Sequence, residues 1–105
     1  MITYKASGIV LGNCWGGGSG GYPAHEINAN SLRELNEEIE EQLKNGSLDS
    51  GMGFESLIGA IMIIDTVDIR QIDGKRFVAH DYEQEIYGDL SEKQQDFLIE
   101  SAAYI

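Results

Sequence analysis

Three side chains in this chain are of the types that activate a nucleophile: Cys14, His25 and His80. A thiolate attacks only when a base lies within hydrogen-bond reach, and these two histidines are the only imidazoles present. Cys14 with His25 or His80, oriented by one of the many Asp or Asn residues, would make a small thiol enzyme. The plainer reading makes Cys14 a small buried hydrophobe beside Trp15. As the only cysteine, Cys14 excludes a disulfide framework within the chain and leaves too few thiolates for a structural zinc site.

Asn13-Cys14-Trp15-Gly16 resembles the neighbourhood of the nucleophile in papain-like cysteine proteases. The resemblance ends there: the preceding glutamine and the Cys-Gly pattern are missing, and glycines follow where that family begins a helix. No residue role is carried over. The run GGGSGG at 16–21 offers backbone amides of the kind that cradle phosphate. It lacks a Gly-Lys-Ser or Gly-Lys-Thr ending and the dinucleotide glycine spacing, and Tyr22-Pro23 follow in place of an amphipathic helix. The 13–23 segment is instead expected to be a flexible glycine-rich loop that orders against a partner, with Trp15 and Tyr22 supplying contact area. Cys14, His25 and His80 match no zinc spacing, and Asp49, Asp65, Asp68 and Asp73 match no calcium loop. Neither a metal nor a cofactor is expected.

Charge is the broader signal. Seven Lys and Arg against eighteen Asp and Glu give a formal net charge of −11 over 105 residues. Such a field repels nucleic-acid backbones and anionic membranes, so direct binding to either is not expected. Glu34, Glu37, Glu38, Glu40 and Glu41 crowd one helical segment, Asp81, Glu83 and Glu85 alternate along a strand, and Glu92, Asp96 and Glu100 follow. Adjoining faces of this kind would present a negative surface to a basic groove, in the manner of a nucleic-acid mimic. The competing explanation is ordinary solubility.

The elements that must position these residues follow from periodicity. Alternation of Ile2, Tyr4, Ala6, Gly8 and Val10 predicts a first strand, and Ala24–Ala29 a short one beside it. Ser31 with Glu34 is a capping spacing, and Leu32, Leu35, Ile39 and Leu43 form one stripe of a helix ending near Asn45-Gly46. Residues 46–53 read as a second loop and Phe54–Ala60 as a short helical turn. Ile61–Ile69 and Phe77–Tyr87 read as strands joined through Asp73-Gly74, with Val78, Tyr82 and Ile86 facing the core. Ser91 with Gln94 starts a last helix anchored by Phe97 and Leu98, and residues 102–105 extend it or form an apolar tail for another chain.

The expected fold class is therefore α+β: one compact domain over residues 1–105, with a mostly antiparallel four-stranded sheet and two main helices, in the order β-β-α-(short α)-β-β-α, the helices covering one face. With no basic-then-apolar leader, and an apolar run at 57–64 far short of the ~20 residues that span a membrane, the sequence predicts a soluble cytoplasmic protein. The expected function is noncatalytic recognition of another macromolecule, a basic nucleic-acid-binding protein being one such partner, through Trp15, Tyr22, Glu34, Glu37, Glu38 and Glu41. Self-association through an open strand edge is a further route.

Overall fold

The computed structural model describes residues 1–14, 18–48 and 54–103; the side chains of Cys14, Ser19 and Glu55 lie outside the description. Five strands form one antiparallel sheet: β1 (Ile2–Cys14), β2 (Gly18–Pro23), β3 (Ile27–Ala29), β4 (Phe54–Ile72) and β5 (Lys75–Gly88). Helix α1 spans Leu32–Asn45 and α2 spans Glu92–Ala102. Across the sheet the order is β2-β1-β4-β5, with β3 pairing the first half of β1 on the side that β2 occupies along its second half. The α+β class with a mostly antiparallel sheet and two helices is as the sequence predicts.

The placement of the helices is not. Val10, Ala60, Met62 and Ile64 pack with Leu35, Ile39 and Leu48 in one cluster, whereas Ile9, Leu11 and Ile61 pack with Leu90, Leu98 and Ala102 in another. Neighbours in sequence point to opposite faces of a strand, so α1 covers one face and α2 the other. The central strands are apolar on both faces, and a single helical layer would leave one of them in water. Fully burying a side chain such as Leu35 or Ile39 stabilises by roughly 1.5–3 kcal/mol, which makes two covered faces the favourable solution.

Phe54–Ala60 is the start of β4, correcting the short helical turn. Phe54, Leu57 and Ile58 have the spacing of a helical turn because two irregularities in the ladder interrupt the strand alternation here, and pairing with β1 satisfies the backbone, with Val10 opposite Ala60 and Gly12 opposite Leu57. The register shift between Leu11 and Gly12 is a bulge at Ile58, which lets Leu57 pack towards α1 and Ile58 towards α2. The glycine-rich loop is also mostly strand. Val10 pairs with Tyr22 and Cys14 with Gly18, leaving only Trp15–Gly17, with the site role expected of Trp15, outside the described residues.

Helix α1 begins at Ser31, whose Oγ accepts from the Glu34 amide at 3.1 Å, and ends at Gly46 with φ 81°. Leu32 is exposed, so the buried stripe starts one turn later, at Leu35. Leu48, just past the helix, is fully buried. Asp73 and Gly74 both take positive φ, 52° and 75°, which is the turn that a tightly twisted hairpin needs.

That hairpin projects. The molecule measures 58 × 25 × 21 Å, and its radius of gyration of 15.4 Å exceeds the roughly 13 Å of a compact chain of this size. β1 starts opposite Asp68, so residues 70–77 stand beyond it as a two-stranded arm. Val78, Tyr82 and Ile86 are exposed and do not face a core, because α2, on their side of the sheet, packs on β1, β4 and β2; Tyr87, on the other face, is the buried residue of β5. At the far end, α2 is anchored by Leu98 and Ala102; Phe97 is half exposed, with its ring over Gly21. Of the expected apolar tail, Ala102 is buried and Ala103 caps the helix, while residues 104–105 lie outside the description.

Candidate functional site

The strand ladder separates the three candidate catalytic residues. His80 pairs with Val67, which pairs with Thr3, eleven positions along β1 from Cys14. At about 3.3 Å per residue this is roughly 36 Å. His25 follows Ala24, whose amide donates to the Gly8 carbonyl, six positions or roughly 20 Å from Cys14. Neither histidine is brought beside Cys14 by the strand pairing.

Each histidine has other company. His80 Nδ1 lies 3.0 Å from Asp65 Oδ1, and its ring stacks on Tyr82 with centroids 5.9 Å apart. Asp65 is a partner the sequence reading missed, since nothing in the spacing of residues 65 and 80 marks a contact made by strand register. His25 Nε2 meets Gln42 Oε1, and Gln42 Nε2 donates to Glu38 Oε1 at 2.7 Å. Tyr22, expected to supply contact area, is half buried and meets Phe54 edge-on at 5.3 Å. Among the described residues, no group of three or more His, Cys, Asp or Glu side chains is arranged to hold a metal ion.

The acidic residues are where the structure does gather expected site residues. Glu34, Glu37, Glu38 and Glu41 line a cleft of about 580 Å³ between β3 and α1, joined by Glu26 from the segment that leads into β3. The helical repeat explains the grouping: positions 34, 37, 38 and 41 are three and four apart, so they share one side of α1. That side is flanked by the stripe that packs Leu35 and Ile39 onto the sheet, which holds the carboxylates beside β3. Ile27, Asn28, Ala29 and Asn30 form the opposite wall and Gln42 completes it, with no Lys or Arg in the lining. Neutralisation is local and exposed: Arg33 Nε reaches Glu37 at 3.1 Å and Lys5 reaches Glu26 at 3.4 Å. Glu26 and the β3 wall were missed because only the fold brings them opposite α1.

The other acidic groups divide between the faces. Asp81, Glu83 and Glu85 alternate on the same face of β5 as Tyr87, the α1 side. Tyr87 registers this: burial first, then the charges of Glu85 and Glu40, push its phenol up to about 12. Glu92, Asp96 and Glu100 belong to α2, across the sheet. No helix among the described residues is long and apolar enough to cross a membrane. No family model, curated protein or solved structure matches the chain.

Proposed function

We propose that this is a noncatalytic recognition protein that binds a basic surface of another protein through the cleft between β3 and α1. One observation carries the reading: Glu26, Glu34, Glu37, Glu38 and Glu41 converge on a single cleft whose lining has no cation. Four carboxylates crowded on one side of α1, with Glu26 added from the segment leading into β3, repel one another more than carboxylates spread evenly for solubility would. A partner bringing Lys or Arg removes that repulsion and gains complementary potential, which speeds encounter and selects against acidic competitors. Proteins that bind nucleic acids carry such basic surfaces and form the partner class this reading favours. The distance of His25 and His80 from Cys14 along the sheet supports this reading over a thiol enzyme.

The test is capture from native extract at low and high salt, followed by carboxyl footprinting of the recovered complex. Basic proteins retained only at low salt, with Glu34, Glu37, Glu38 and Glu41 protected from carbodiimide, support the reading. Retention that ignores salt, or protection elsewhere, contradicts it.

A further inference from the structure

The edge of the sheet away from the acidic cleft carries a different signature. β5 is an edge strand, and Ile72, Phe77, Val78, Tyr82 and Ile86 of the β4–β5 hairpin make up half of the exposed large hydrophobics of the described chain. Phe77 and Val78 are each 50% exposed and Tyr82 is 65% exposed. Charge along this edge is polar: Lys75 and Arg76 stand at the turn end, while Asp81, Glu83 and Glu85 lie towards the body. A strand positive at one end and negative at the other is complementary to itself when reversed.

We propose that two copies of this chain pair β5 against β5, antiparallel, about a two-fold axis at His80, with Lys75 of each copy facing Glu85 of the other. Symmetry restricts the register. A two-fold axis relating antiparallel edge strands stands perpendicular to the sheet, so facing residues must lie on the same face, and their numbers must sum to an even value. Centring on Asp81 or Glu83 sets a carboxylate against itself, and centring on Tyr82 sets Asp81 against Glu83. Centring on His80 pairs Lys75 with Glu85, Arg76 with Gln84 and Val78 with Tyr82, the last an aromatic against a β-branched side chain. Phe77 then faces Glu83 and Ala79 faces Asp81. Centring on Ala79 also avoids opposed carboxylates but stops at Glu83, so the His80 register is the longest that does. It needs only residues 75–85 and leaves Tyr87, where β5 meets Asn36 of α1, outside the pairing. The paired segment lies on the sheet edge away from the cleft between β3 and α1, so both acidic clefts stay open.

Sedimentation equilibrium of the intact protein tests this. The mass should rise with concentration from the 11.6 kDa monomer towards twice that value. Lys75→Glu and Glu85→Lys should each weaken dimerisation by about tenfold, because each sets two like-charged pairs face to face. The double variant K75E/E85K should restore the wild-type constant. The single variants change net charge in opposite directions, so general repulsion cannot weaken both. As an independent measurement, His80→Cys in a Cys14→Ala background should oxidise to a covalent dimer, since facing Cα atoms in an antiparallel pair lie about 4.5–5.5 Å apart, within disulfide span. A monomer up to millimolar concentration, a dimer indifferent to the single reversals, failure of the double variant to recover, or a His80→Cys variant that stays monomeric under oxidant would each overturn the proposal.

Discussion

The Tyr87 hydroxyl donates to Asn36 Oδ1, tying the buried residue of the outermost strand to the second turn of α1. This bond ties β5 to the helix that covers its face of the sheet: α1 packs through Leu35 and Ile39, and β5 is otherwise exposed along its length. Tyr87→Phe keeps the ring and leaves Asn36 without its donor. The expected loss is about 1 kcal/mol, measured by urea denaturation, with an unchanged m-value.

The same phenol sets a pH dependence at the alkaline end. Its pKa is raised to about 12 in the folded protein against 10.0 for the free side chain. The native state therefore holds the proton more tightly than the unfolded state does. The stabilisation from the neutral phenol is fully present below pH 10 and is lost as pH rises towards about 12. Denaturation midpoints of the wild type should fall more steeply than those of Tyr87→Phe across that window. All other groups are common to both proteins and cancel in the comparison.

Gly88 ends β5 with φ 88°, and a Cβ placed on it would lie 2.6 Å from the Gly59 Cα and from the Ile58 carbonyl oxygen. Neither contact can be relieved by rotating a side chain, because both are backbone. Gly88→Ala should cost about 3 kcal/mol, combining left-handed strain with overpacking, and should lower the thermal midpoint accordingly.

The two helices differ at their starts. Ser91 and Gln94 form both halves of a capping box, at 3.2 and 2.8 Å. Ser91→Ala should therefore cost about 1 kcal/mol. Because α2 is held mainly by Leu98 and Ala102, amide exchange should accelerate in Glu92–Ala102 and leave α1 protected.

Much of this architecture was legible because its signals are local. Ser31, Gly46, Ser91 and the Asp73-Gly74 turn act through backbone conformation within a few residues, and all sit where their chemistry requires. Signals that depend on neighbours across the sheet were not legible. Phe54, Leu57 and Ile58 are spaced as on a helix, because irregularities in the ladder interrupt the strand alternation there, and the strand identity of Phe54–Ala60 comes from pairing with β1. Val78, Tyr82 and Ile86 share one face as core residues of a strand do, yet they stand on the edge strand while α2 packs on β1, β4 and β2, and they stay exposed. The acidic side of α1 was readable from helical spacing; its opposite wall, Glu26 to Asn30, depends on β3 docking beside it.

The most direct measurement compares two triple reversals of equal charge: Glu37→Lys, Glu38→Lys and Glu41→Lys in the cleft, and Glu92→Lys, Asp96→Lys and Glu100→Lys on α2. Each is used as bait beside the wild type, with capture of basic proteins at low salt as the readout. Cleft recognition predicts that the first triple loses the partner while the second retains it. Equal loss from both, or retention by both, would contradict it and assign the carboxylates to solubility alone.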